Sequence, residues 1–359
     1  MPHITGVDNG NPWQNFAGHE EVVVAERSGV RIAIAVHSTR LGPALGGTRM
    51  SAYADAPDSG AAAYADALRL SRAMTYKNAL AGLDHGGGKA VIVADPEHKP
   101  IELLHAYGQL VESLGGRYVT AGDVGMSVQD MDLIGEVCRW TTGRSPAKGG
   151  VGDSGILTAF GVFQGMRAGA EAVWGSPDLA GRRVGVVGAG KVGGRLIGHL
   201  AEAGAEVITV DRGEEARAAV RAQHPHVQFR DTSDALIDEP LDILSPNALG
   251  GFLTVDLVPR ITARLVCGGA NNQLATPAVA DLLKQRGIVY TPDFMVNCGG
   301  VIQVAEELAG CDLDRARART ARVFDTTARV LARAQAEGVT PVVAAEQEAE
   351  ERIARGPAD

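Results

Sequence analysis

The chain has 359 residues, 45% hydrophobic and 21% charged, which is ordinary globular composition and enough for about two domains. Disordered, collagen-like and small disulfide-stapled folds are excluded. Lys+Arg 34 against Asp+Glu 43 gives a net charge of −9, so the basic footprint that nucleic-acid binding needs is missing.

The 46 glycines are nearly twice the usual ~7% and imply many tight turns and close backbone approaches, as in an α/β enzyme. Cys138, Cys267, Cys298 and Cys311 form no CxxC pair and no metal-ligand spacing, so neither a metal site nor a disulfide framework is expected. The N-terminal MPHITGVDNGNPWQNF lacks a basic stretch followed by an apolar one, and no apolar run reaches the ~18 residues of a membrane span. A cytoplasmic protein is expected.

In chain order, residues 21–37 read as two β-rich runs around Ser28-Gly29, a hairpin signal. Residues 61–81 read as a helix, followed by a Gly-rich turn, GLDHGGGK, and a strand, AVIV. From about 182 strands and helices alternate (VGVVG, EVITVD, DILS, RLVCGG, GIVYTPD), which argues a parallel doubly wound sheet. The Gly/Ser/Thr/Pro-rich 141–155 separates the two textures, so a boundary is expected near 146, with domains 1–146 and 147–329. Helices are expected at about 314–337 and 341–355, the second opened by Thr340 and Pro341. The segment 330–359 is expected to pack back on the first domain.

Gly188-Ala189-Gly190-Lys191-Val192-Gly193 follows a strand and opens a helix, and Asp211 ends the next strand 23 positions beyond Gly188. A Rossmann fingerprint needs that context: the glycines allow the turn, the approach of a pyrophosphate and helix–strand packing, while helix N-terminal amides face the phosphates. Asp211 can accept from ribose hydroxyls and would repel a 2′-phosphate, so NAD is favoured over NADP. Arg212 keeps NADP open, because it could pair with that phosphate.

Lys89 closes GLDHGGGK without being a P-loop, since Leu83 and Ala90 stand where Gly and Ser/Thr are required. A lysine taken out of water beside three glycines can act as a general base; a surface lysine after a loose turn is the plainer reading. Lys77, near the end of the preceding helix, could share its pocket, and two lysines suit an anionic substrate group. Asp123, in TAGDVG after a strand, sits where α/β chemistry is usually done, although a helix cap is the other reading.

LGPALGGTRM (41–50), MTYKNALAGLDHGGGKAVI (74–92), TAGDVG (120–125), GRSPAKGGVGDSG (143–155), GAGKVGG (188–194), GGANNQL (268–274) and PDFMVNCGGVI (292–302) resemble, in order, the motifs of the glutamate/leucine/phenylalanine/valine dehydrogenases. The likeness covers nearly the whole chain and is greatest to the branched-chain members. It implies an N-terminal substrate domain with a mixed sheet, a Rossmann-type NAD domain and a cleft between them. It further implies that Lys77 and Asn271 hold the α-carboxylate, with Gly46 and Gly47 lining the site. Lys89 would activate the attacking water, Asp123 would hold the α-amino group and pass protons, and Thr158 and Asn271 would contact the cofactor. Pro246-Asn247-Ala248 departs from the Pro-Cys-Ala of many relatives, so no role passes to Asn247.

The matching side-chain pocket is Leu45, Ala121, Val301 and Val304, all apolar. A distal carboxylate would be buried there unpaired, which disfavours glutamate. The resemblance therefore implies reversible NAD-dependent oxidative deamination of valine, leucine or isoleucine to the 2-oxo acid and ammonia by a homo-oligomer. A phenylalanine-preferring or biosynthetic dehydrogenase is the main alternative. A catalytically dead NAD-binding regulator is remote, because Lys77, Lys89 and Asp123 are all present.

Overall fold

The computed structural model describes residues 16–357; most of the N-terminal stretch read above lies outside them. Two compact units are formed. One takes its described residues from Met1–Asp153, Gln303–Leu313 and Ala349–Asp359, the other from Ser154–Ile302 and Asp314–Glu348. The first division thus falls at 153/154 rather than 146/147. Of the segment 330–359, only the part from Ala349 groups with the first unit. Residues 303–313, expected in the nucleotide domain, group with the first unit as well.

The first unit opens with β1 (Glu21–Arg27) and β2 (Val30–Ser38), antiparallel as the hairpin signal implied. Ser28 and Gly29 have φ of 51° and 73°, the left-handed pair that a two-residue turn needs to match strand twist. Then come β3 (Ala44–Ser51), α1 (Ser59–Leu80), β4 (Gly86–Val93), α2 (Ile101–Glu112), β5 (Tyr118–Gly122) and α3 (Val128–Gly135). The Asp58 carboxylate caps α1 by accepting from the N–H of Gly60 at 2.9 Å and Ala61 at 3.1 Å. Ser127 and Asp130 cap α3 reciprocally, which leaves Asp123 free of that duty.

The sheet order is β1-β2-β4-β3-β5, with β2 antiparallel to β1 and β4, and β3 parallel to β4 and β5. Alternation sorts the two faces. Ile32, Ile34, Val36, Met50 and Ile92 pack against Leu104, Tyr107 and Val111 of α2 and Met131 and Ile134 of α3. The intervening Ala33, Ala35 and Val91 meet Ala63 and Ala67 of α1. Small residues on both sides bring α1 close to the sheet.

The reading of 86–88 as a turn is corrected. Gly86, Gly87 and Gly88 lie inside β4, and crowding, not looseness, is why they are glycines. An added Cβ would lie 1.8 Å from the Ser38 carbonyl oxygen at Gly86, 2.1 Å from the Thr75 nitrogen at Gly87 and 2.5 Å from the Tyr118 ring at Gly88.

The second unit contains α4 (Gly155–Trp174), β6 (Arg183–Val187), α5 (Gly193–Glu202), β7 (Glu206–Val210), α6 (Glu214–Gln223), β8 (Gln228–Phe229), α7 (Ser233–Ile237), β9 (Ile243–Pro246), β10 (Leu265–Val266), α8 (Ala278–Gln285), β11 (Val289–Tyr290) and α9 (Asp293–Val296). The sheet β11-β10-β9-β6-β7-β8 is parallel throughout. Its order reverses between β6 and β9, the switch point where open α/β sheets take their ligands. The chain continues through α10 (Gly299–Leu308), α11 (Leu313–Ala321), α12 (Val323–Glu337) and α13 (Pro341–Arg355). The single helix expected over 314–337 is two, divided at Arg322, whose N–H bonds three residues back to the Arg319 carbonyl at 3.1 Å.

Gly87→Ala is expected to destabilise the protein by at least ~2 kcal/mol, because both sides of the contact are backbone or buried helix and neither can yield cheaply. Chemical denaturation measures it. A change within about 0.5 kcal/mol, typical of harmless surface substitutions, would contradict the packing described.

Candidate active site

Strand pairing puts several of the first unit's candidate residues on one sheet face. Gly47 is opposite Ala121 and Leu45 is opposite both Gly87 and Val119, and partners across parallel strands share a face. Leu45, Gly47 and Arg49 of β3, Ala121 of β5 and Lys89 of β4 therefore look to the side that α1 covers. Asp123, just past β5, extends this register: its N–H bonds to the Thr48 carbonyl at 3.1 Å.

On that face Lys89 Nζ donates to Asp123 Oδ2 at 2.7 Å, with the lysine side chain only 7% exposed and the aspartate 18%. Gly47 makes the pair possible, since a Cβ there would fall 2.8 Å from Asp123 Cβ and 3.4 Å from Lys89 Nζ. Arg49 Nε lies 3.4 Å from the same Oδ2, and its terminal nitrogen binds Asp66 Oδ2 at 2.7 Å. Burial alone would raise the Asp123 carboxyl; the charges of Lys89 and Arg49 and the lysine's hydrogen bond overturn this and hold it at about 2.

Lys77 stands in the last turn of α1. The neighbouring Asn78, which the sequence reading passed over, is fully buried and donates to the carbonyls of Leu45 at 3.1 Å and Gly86 at 2.6 Å, tying that turn to β3 and β4. Arg352, also unforeseen, donates to the carbonyls of Ala79 and Leu83, both at 2.8 Å, closing the helix end. Gly46 is compelled too: a Cβ would lie 1.8 Å from the Gly88 carbonyl oxygen. Leu45 has no exposed surface, and Ala121 and Val304 are buried. Val304 belongs to the first unit and Val301 to the second, so the four pocket residues do not come together in one unit.

In the second unit each fingerprint glycine has its own reason. Gly188, at φ 94°, abuts Ala248, where a Cβ would be 2.9 Å from the backbone nitrogen. A Cβ at Gly193 would be 1.9 Å from the Gly188 carbonyl oxygen, so α5 can sit against β6 only without one. Gly190 is exposed and meets nothing within 4 Å; the space beside it is open to a phosphate. Lys191 is exposed and Val192 half-buried on this loop. Asp211 accepts the Ala189 N–H at 2.6 Å and the Gly213 N–H at 2.7 Å, joining the glycine loop to the end of β7, with Arg212 exposed beside it.

Asn247 is a structural clamp at the same strand ends. It donates to the Ser245 carbonyl at 2.9 Å and accepts the Gly269 N–H at 2.9 Å. Asn271 Oδ1 accepts from Asn297 at 2.8 Å. Thr158 donates to the Ser154 carbonyl at 3.0 Å, and its hydroxyl lies where a Cβ at Gly300 would come within 2.7 Å. Among the described residues no group of three metal-binding side chains occurs, and no helix is long and apolar enough to cross a membrane.

A mixed-sheet unit with a buried lysine–aspartate pair and a doubly wound unit with a nucleotide-type glycine loop fit the class of dinucleotide-dependent enzymes. Comparison with known proteins narrows it. Residues 21–140 match the Glu/Leu/Phe/Val dehydrogenase dimerisation domain and residues 212–356 match glutamate/leucine/phenylalanine/valine dehydrogenase. The chain is 55% identical to valine dehydrogenase of Streptomyces virginiae, over 98% of this chain and 99% of that one. It is 43% identical to leucine dehydrogenase of Bacillus subtilis, over 92% and 89%. The solved L-tryptophan dehydrogenase of Nostoc punctiforme superposes with a TM-score of 0.81 at 37% identity, covering 94% of this chain and 96% of that one. The chain belongs to the glutamate/leucine/phenylalanine/valine dehydrogenase family.

A carboxylate held low contributes stability above its unfolded-state value near 3.9 and loses it as pH falls through about 2. The effect is on the order of 2 kcal/mol. Asp123→Asn should therefore lose less stability than the wild type between pH 4 and 2 in pH-resolved denaturation. Parallel curves would contradict the depressed carboxyl.

Proposed function

We propose that the protein catalyses NAD-dependent oxidative deamination of valine, leucine and isoleucine, reversibly, as a cytoplasmic homo-oligomer. The observation that carries the chemistry is the 2.7 Å contact between buried Lys89 and Asp123 on the same sheet face as the apolar Leu45 and Ala121. The valine and leucine dehydrogenases named above support the substrate class. Leu45, Ala121 and Val304 of the first unit are apolar and buried, so a distal carboxylate beside them would be costly to bury unpaired. The match of residues 21–140 to a dimerisation domain supports the oligomer.

The residues fit a dinucleotide. A cradle with open space at Gly190, closed by Gly188 and Gly193, would receive the pyrophosphate at the N-terminus of α5, with Lys191 and Val192 beside it. Asp211 would face the adenosine ribose. Thr158 would lie toward the nicotinamide. When bound, NAD supplies the acceptor for the hydride from the substrate Cα.

The chain's own groups do the rest. Lys77, held by the bonds of Asn78 and by the α1 end, anchors the α-carboxylate; Asn271 shares that task on the strength of its motif. Asp123 receives the α-amino group as an anion. Lys89 takes the proton from the water that adds to the oxidised carbon, and Asp123, in contact with the resulting ammonium, relays that proton to the nitrogen as ammonia leaves. The apolar face excludes bulk water and strengthens each of these charge contacts.

The test is the initial rate of NADH formation with L-valine, L-leucine, L-isoleucine, L-phenylalanine and L-glutamate, in the wild type and in Lys89→Ala. The three branched substrates should lead, and Lys89→Ala should lower kcat by ~10²–10⁴-fold while NADH binding persists. More than about a tenth of wild-type kcat in a folded variant would remove Lys89 from the mechanism, and a lead for phenylalanine or glutamate would overturn the substrate class. Asp211→Ser should raise the ratio of kcat/KM for NADP to that for NAD by relieving charge repulsion and leaving Arg212 to pair with the 2′-phosphate. An unchanged ratio would place the ribose elsewhere.

A further inference from the structure

Asp123 is served by a second cation that none of the assignments above uses. Arg49, on the same β3 face as Gly47, is mostly buried and brings Nε to 3.4 Å of Asp123 Oδ2, the oxygen that Lys89 also holds. This Nε is buried and makes no hydrogen bond, so the contact is one of charge. The guanidinium is fixed from its other end, where its terminal nitrogen donates to Asp66 Oδ2 at 2.7 Å. Asp66, only 12% exposed, is itself over-determined. The Tyr53 hydroxyl donates to the same oxygen at 2.7 Å and Arg69 donates to Oδ1 at 2.5 Å. Tyr53 holds a left-handed backbone at φ 50°, a conformation unusual for a bulky residue.

We propose that Arg49 is a positioning residue for Asp123, and that the relay Tyr53/Arg69–Asp66–Arg49 keeps this buried carboxylate ionised when the substrate binds, whatever the protonation state of Lys89. The proposal rests on the reading of Lys89 and Asp123 given under the proposed function and adds what that reading lacks. A lysine that gives and takes protons can serve as a counter-charge for only part of the cycle. During the rest, a buried aspartate with no other cation would take up a proton and could no longer receive the substrate's ammonium. A guanidinium stays charged throughout. The ion pairs also explain why Asp66 is buried: it anchors the arginine.

The charged and titratable groups around Asp123 are few. β4 brings Lys89, β3 brings Arg49, the segment after β3 brings Tyr53, and α1 brings Asp66, Arg69 and, three turns on, Lys77. Asp130 of α3 is already bound by Lys99 at 2.5 Å. Removing Arg49 therefore leaves burial opposed only by Lys89 and the backbone N–H of Val124, and the Asp123 carboxyl must rise. This agrees in direction with the charge of Arg49 counting second only to that of Lys89 in holding the carboxyl low.

The experiment is the pH titration of the Asp123 carboxyl, followed by carbon-13 NMR of protein labelled at the aspartate carboxyl, in the wild type, Arg49→Gln, Arg49→Lys and Asp66→Asn, with kcat/KM for L-valine measured beside it. In Arg49→Gln the carboxyl titration should move up from about 2 by about one pH unit or more. Arg49→Lys should restore the wild-type titration, and Asp66→Asn, which keeps the guanidinium but frees it, should move it the same way by less. If Arg49→Gln does not fold, Asp66→Asn decides. An unmoved carboxyl titration with activity merely scaled down means a structural role and overturns the proposal. If Lys89→Ala is inactive while the carboxyl does not move in the arginine variants, only the relay falls; if Lys89→Ala is active, the reading of the site falls with it.

Discussion

The structure of the first unit turns on one costly arrangement, an aspartate almost out of water with two cations against a single oxygen. Burying a carboxylate costs several kcal/mol after relaxation, and the cost is met only if the cations are close and cannot drift. Neighbouring features serve that end. Gly47 admits the pair by lacking a Cβ, and Lys89 is carried on a central strand rather than a loop. Arg49 is held at its far end by Asp66. The result is a carboxylate kept as an anion in a place where the solvent would not keep it.

The same logic of removed atoms runs through the second unit. Gly193 brings α5 against β6, Gly188 turns the chain beside Ala248, and Gly190 leaves open space. Asp211 then spends its carboxylate on two backbone N–H groups, fixing the loop relative to the end of β7. The residue that ends β7 thus sets the geometry of the glycine loop. Asn247 joins β9 to the start of the Gly268-Gly269 turn by three hydrogen bonds.

Much of this was legible in the chain. The parallel sheet showed as strands alternating with helices, and the β1–β2 hairpin as Ser28-Gly29 between β-rich runs. The glycine loop and Asp211 carried their own spacing. Asp123 stood out in the sequence because it follows a strand, and Lys89 because it closes a glycine-rich run. What the chain concealed was crowding. Gly86 to Gly88 read as slack because a run of glycines carries no sign of what lies across from it; the Ser38 carbonyl, Thr75 and the Tyr118 ring are distant in sequence. Arg49 and Asp66 were missed for the same reason, being partners across seventeen residues with no periodic signal. Asn78 was missed because a buried amide in an amphipathic helix looks like any polar residue until the carbonyls it serves are seen. The domain division was displaced because a Gly/Pro-rich stretch marks a loop, not which unit that loop packs against.

The central claim is that Asp123 is ionised in the folded enzyme because Lys89 and Arg49 overcome its burial. Carbon-13 NMR of protein labelled at the aspartate carboxyl, with Asp123→Asn to assign the resonance, measures this directly. The account predicts a carboxyl that titrates at about 2 and remains an anion down to the acid limit of the fold. Titration at or above ~4, the value of an aspartate in water, would show that burial wins and would contradict it.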